Sequence, residues 1–147
     1  MKVVVIDDDP TGSQTVHSCP LLLRWDQDTL RQGLRHPSPL LFLLADTRAL
    51  TPEDATECNR LIAANLDAAL AQEGLNLGDL LLVSRGDSTL RGHGVIEPAA
   101  LADCFGPFDA TFHVPAFLEG GRTTVDGVHR LYGQPVHETP FARDRLF

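Results

Sequence analysis

Val3-Val4-Val5-Ile6-Asp7-Asp8-Asp9-Pro10-Thr11-Gly12 is the stretch on which the reading of this chain turns. Four β-branched residues follow one another with no polar residue between them. An apolar run of that kind suits a strand buried on both faces, as in a parallel sheet. It breaks off into three acids, a proline and a glycine, which is loop chemistry. The chain is therefore expected to leave a buried strand directly into a polar, acidic turn.

Three more apolar runs repeat the pattern, at residues 40–44, 80–83 and 111–114. A shorter one at 21–23 follows Pro20 and reads as an edge strand. Helical patterns lie between them. Thr51-Pro52-Glu53-Asp54 combines a capping hydroxyl, proline at the first helical position and acids in the positive first turn. Ala55, Cys58, Ile62, Leu66 and Ala69 then recur at steps of three and four, and Gly74 supplies the stop. A second helix is predicted over 28–35 and a third from about 94 to 104, with Pro98 in its first turn. Alternating strands and helices at this spacing predict an α/β fold. The expected form is an open, doubly wound, mostly parallel sheet with flanking helices, one domain over 1–147. Residues 125–147 show no clear period and read as a small hairpin or exit segment.

Composition narrows the function classes. Hydrophobic residues make up 43% and charged residues 22%, so a disordered chain is not expected. The net charge of −8 repels polyanions, and no nucleic-acid or membrane partner is expected. No apolar stretch approaches the roughly 20 residues of a membrane span, and the start lacks a signal peptide's long apolar segment. A cytoplasmic location is the default expectation. Cys19, Cys58 and Cys104 have no paired metal spacing and read as small buried hydrophobes.

Ligands of open parallel sheets bind beyond the carboxyl ends of the strands. Each of the four main runs leads into a polar loop, and Arg48, Arg85, Arg91 and Arg122 all lie in those loops. Arginine offers a flat fork of donors that holds a carboxylate or phosphate by two bonds. Asp8, Asp9, Asp87, Ser88, Thr89 and Thr123 sit among them. That mixture suits a hydroxylated anion; the competing account is that the arginines only brace the loops by pairing with the aspartates. Gly92-His93-Gly94 precedes the third helix, whose free N–H groups form a natural anion site. His93, His113 and His129 are within reach of the crevice.

There is no P-loop, no GxGxxG after the first strand and no nucleophile elbow. Asp7, Asp9 and Thr11 do reproduce the DxDxT spacing of haloacid-dehalogenase-type phosphatases. That mechanism also needs a lysine and a later acidic pair at the same sheet edge. Lys2 stands before the first strand, at the wrong end, so this reading is weak.

The loops resemble those of the four-carbon acid sugar kinase family. The matching blocks begin with Asp7-Asp8-Asp9-Pro10-Thr11-Gly12-Ser13-Gln14-Thr15 and Ser84-Arg85-Gly86-Asp87-Ser88-Thr89-Leu90-Arg91-Gly92-His93. Pro115-Ala116-Phe117 with Gly121-Arg122-Thr123-Thr124, Gly127 and His129 forms the third, and Glu138-Thr139-Pro140-Phe141-Ala142-Arg143-Asp144 the last. The resemblance implies ATP-dependent phosphorylation of tetronates, with Mg2+, by a protein whose N-terminal domain holds the sugar acid. It implies Asp8, Arg48, Arg85, Asp87, Ser88, Arg91 and Arg122 as the substrate side, with Asp8 or Asp87 orienting the accepting hydroxyl. The implied C-terminal nucleotide-binding domain is not in this sequence and would act in cis or in trans. This chain alone is then expected to bind neither ATP nor metal and to transfer no phosphate. A non-catalytic sugar-acid sensor is the alternative.

Overall fold

The β-branched run forms the centre of the molecule. In the computed structural model, which describes residues 1–144, β1 (Lys2–Asp7) lies between β3 (Leu40–Leu44) and β4 (Leu80–Arg85), parallel to both. The short β2 (Leu21–Leu22) adds to β3 at the edge, giving the order β2-β3-β1-β4. The expected α/β class and open parallel sheet are borne out. Because the strands are parallel, their carboxyl ends share one rim: Asp7 is in register with both Leu44 and Arg85.

Three helices flank the sheet. α1 (Gln27–Arg35) is capped by Asp26, whose side chain accepts the Thr29 amide. α2 (Pro52–Gln72) starts at the Thr51 cap and ends before Gly74, which adopts φ +68°. α3 (Ile96–Phe105) places Pro98 in its first turn. Their apolar faces meet Val4, Ile6, Leu41 and Leu43 in one core with Leu30, Ile62, Leu66 and Leu101. A fully buried side chain of that size stabilises the fold by about 1.5–3 kcal/mol. Gly33 lets α1 approach the sheet closely, since a Cβ there would lie 2.9 Å from Leu22 and Leu41 side-chain carbons. Arg31 and Arg35 both grip Glu73, at 2.7 and 2.6 Å, and tie α1 to the end of α2. No helix among the described residues is long and apolar enough to cross a membrane.

Three expectations need correction. Residues 111–114 form no strand, and Phe112 and Val114 are 85% and 76% exposed. The run has strand-forming residues, but propensity expresses a fit to a half-buried pleated surface, which this segment does not reach. β4 is therefore the sheet's second edge. The chain continues instead into a three-stranded antiparallel sheet, β5 (Arg122–Val125), β6 (Val128–Leu131) and β7 (Gln134–Pro135). Asp126-Gly127, both with positive φ, makes the β5–β6 turn. The hairpin expected within 125–147 thus begins at 122, and residues 145–147 lie outside the described residues. The cysteines are free, but Cys104 is exposed and Cys19 and Cys58 are half-buried.

Candidate functional site

The rim builds its site from backbone outward. The turn after β3 is laced to the acidic loop: the Ala45 amide donates to the Asp7 carbonyl at 2.8 Å and the Arg48 amide to the Asp8 carbonyl at 3.1 Å. That lacing aims the Arg48 side chain back at Asp8. Arg48 Nε and Nη2 donate to the two Asp8 carboxylate oxygens at 2.9 and 2.8 Å, and Nη1 reaches Asp9 at 3.1 Å. Both partners are buried, at 8% and 1% exposure. From β4, Arg85 Nη1 lies 3.3 Å from Asp7 Oδ1 and 3.5 Å from Asp8 Oδ1, with its side chain a third exposed. Arg85 is the more loosely held of these two cations and the more exposed.

The loop after β4 carries the second cluster. Asp87 accepts from the Thr89 hydroxyl and from Arg91 Nε, the latter at 2.7 Å. Arg91 also lies over the Phe141 ring, 5.1 Å from its centroid, and 3.5 Å from Asp144 Oδ2. Burial works against the Asp87 charge, but the Arg91 and Thr89 hydrogen bonds and the charges of Arg91 and Arg48 outweigh it, holding its pKa at about 2. A depressed carboxylate stabilises the fold above its ordinary pKa near 3.8, and the contribution disappears as pH falls towards 2. Thermal unfolding followed from pH 5 to pH 2 is expected to show the chain converging on its Asp87→Asn variant. A gap that stays constant across that window would refute the assignment.

Asp8, Arg48, Arg85, Asp87 and Arg91 are thus electrostatic neighbours, since Arg48 feels Asp8, Asp9 and Asp87 and Arg91 feels Arg48. Ser88 lies in the same loop, its carbonyl accepting from His129. With no strand at 111–114, Arg122 does not follow a strand of the parallel sheet. Arg122 sits on β5, 5.5 Å over Phe117, with Nε buried and unpaired among the described residues. His93 bonds the Leu50 carbonyl, and His113 is exposed.

Two acids at the rim stand out in the fold in ways the sequence did not show. Asp7 is fully buried, its Oδ2 unpartnered among the described residues, and burial raises its pKa. Gly12 makes room for it, because a Cβ there would collide with the Asp7 carboxylate. Glu97, on α3, is buried with the Thr47 hydroxyl on Oε1, and burial raises its pKa too. Only position in the fold distinguishes these acids from the exposed ones. Lys2, the catalytic lysine a phosphatase would need here, donates instead to the carbonyls of Gly33, His36 and Ser38.

Comparison with known proteins decides the family. Residues 3–147 match the family described as the sugar-binding N-terminal domain. This chain belongs to that family. A D-erythronate kinase from Heliobacterium modesticaldum is 35% identical over 151 residues, covering 97% of this chain and 32% of that protein. A D-threonate kinase from Cupriavidus necator is 35% identical over 98 residues, covering 67% of this chain and 21% of that one. A crystal structure of a domain of unknown function from Bordetella bronchiseptica, a domain-swapped dimer with bound citrate, superposes with a TM-score of 0.74. It shares 27% identity and covers 99% of this chain and 36% of its own. The resemblance to four-carbon acid sugar kinases is borne out. This sugar-binding domain spans about a third or less of the length of these relatives.

Proposed function

We propose that the strand-end rim of this domain binds a four-carbon sugar acid, and that it does so as the substrate half of an ATP-dependent kinase. Arg85 supports the reading most directly. It is a guanidinium at the carboxyl end of a parallel strand, a third exposed and held, among the described residues, by contacts of 3.3 and 3.5 Å. Such a group can turn its free N–H donors to a carboxylate. Arg91 is the second cation for that charge, and Ser88 a neutral partner for hydroxyls.

Asp87 is the carboxylate we assign to the accepting hydroxyl. Staying ionised, it orients that O–H towards an incoming phosphoryl group; transfer of this kind depends on positioning and charge more than on a strong base. Asp8 has both oxygens committed to Arg48, so its role in this reading is to fix Arg48 and, through the 3.5 Å contact, Arg85. Arg122 is assigned to its hairpin. Among the described residues no group of three or more His, Cys, Asp or Glu side chains is arranged to hold a metal. We assign ATP and Mg2+ to the remainder of the full-length protein, and phosphoryl transfer to the two halves together.

Calorimetric titration of this chain tests the reading. D-erythronate or D-threonate is expected to bind, and neutral erythritol, with the same carbon count and no carboxylate, is expected to bind at least about ten-fold more weakly. Equal binding of erythritol, or no heat from either acid at millimolar concentration, would overturn it.

A further inference from the structure

The segment from Asp87 to Arg91 holds a costly shape. Leu90 has φ +64°, a left-handed conformation that is unfavourable for a residue with a side chain. Its side chain is 47% exposed, so its own packing does not keep it there. Inside the segment, the Leu90 amide donates to the Asp87 carbonyl at 2.9 Å, and the Asp87 carboxylate gathers Thr89 and Arg91. Those bonds set the shape of the turn without fixing where its backbone sits. Arg91 is tied outward through its side chain, to Asp144 and Phe141.

The backbone tie comes from β6. His129 is 6% exposed, with Nε2 2.7 Å from the Ser88 carbonyl oxygen. A carbonyl only accepts, so this nitrogen carries the hydrogen. Nδ1 lies 2.9 Å from the Thr124 hydroxyl, on the strand position paired with His129, which sets the plane of the ring. The same hydroxyl reaches the Pro115 carbonyl at 3.1 Å. One imidazole therefore links the small sheet to the loop that carries Ser88 and Arg91.

We propose that His129 is a positioning residue of the sugar-acid site: by holding the Ser88 carbonyl, its Nε2–H fixes the Asp87–Arg91 segment in the form that presents Ser88 and Arg91 to ligand. The inference rests on the sugar-acid reading for its functional consequence, and His129 itself touches no ligand.

Three measurements on this chain test it. Nitrogen-15 NMR of the ring is expected to show Nε2 protonated; a bare Nε2 overturns the proposal. His129→Gln keeps an N–H within reach of Ser88, whereas His129→Phe keeps a ring of similar bulk with no donor. The Leu90 and Arg91 amides are expected to exchange about ten-fold faster in the Phe variant and within about three-fold of the unaltered chain in the Gln variant. D-erythronate affinity is expected to follow the same order. A purely packing role predicts the reverse, with Phe equal to His and Gln impaired, and that result overturns the proposal. If the Phe variant fails to fold, the ring nitrogens and the Gln variant still decide. If the unaltered chain binds no tetronate, the sugar-acid reading falls by itself, and amide exchange still judges the hold of His129 on the loop.

Discussion

Arg48→Ala is expected to destabilise the folded chain by about 3–5 kcal/mol, the cost of leaving one member of a buried ion pair alone. Asp8 is 1% exposed and receives two Arg48 hydrogen bonds at 2.8 and 2.9 Å, and Asp9 receives a third contact. Removing the guanidinium leaves the buried Asp8 carboxylate with the longer 3.5 Å contact to Arg85 and strips a partner from Asp9. Urea unfolding measures the loss. The double variant Asp8→Asn with Arg48→Ala is expected to recover part of it, because the unpaired charge is then gone. A single-variant loss below about 1 kcal/mol would mean that water reaches Asp8, and the pair would be an ordinary surface bridge. Arg48→Lys is expected to fall between, since an ammonium carries the charge but not the fork.

The second large effect concerns binding. Arg85→Ala is expected to weaken D-erythronate by roughly ten- to a hundred-fold, the equivalent of one charge-assisted hydrogen bond of about 1.5–3 kcal/mol. Its long contacts and one-third exposure set it apart from Arg48, so the unfolding transition is expected to move far less than in Arg48→Ala. Calorimetric titration beside urea unfolding separates the two quantities. Unchanged affinity would remove Arg85 from the site; affinity and stability collapsing together would make it a structural brace for Asp7. The contrast between the two arginines is the physical content of the proposed division of labour, one holding the floor and the other meeting the ligand.

The sheet was legible because its strands are short unbroken apolar runs, and α2 because Thr51-Pro52-Glu53-Asp54 announces its start. The 111–114 run, Thr111-Phe112-His113-Val114, has strand-forming residues and no strand, since pairing is decided by what lies beside a segment and not by the segment. Asp126-Gly127 between Thr124-Val125 and Val128-His129 was a usable hairpin signal, and it would have placed Arg122 on a hairpin strand and not in a loop after a strand of the parallel sheet. The rim arginines of the second and third loops were placed correctly by topology alone. Their partners were not, because spacing cannot tell that Arg48 crosses to Asp8, 40 positions away, or that Arg91 takes Asp87 four positions before it. The environments of Asp7, Glu97 and His129 escaped for a related reason: burial, which makes each of them unusual, is a property of the folded chain.

Lys2 is the only lysine in the sequence, and its ammonium is spent on three carbonyls near the end of α1. Acylating or biotinylating reagents that seek primary amines would find just that shielded nitrogen and the amino terminus. Both lie at the opposite end of β1 from the rim arginines Arg48 and Arg85. The domain can thus be anchored to a sensor surface through its first residue while the ligand-facing cations stay chemically untouched.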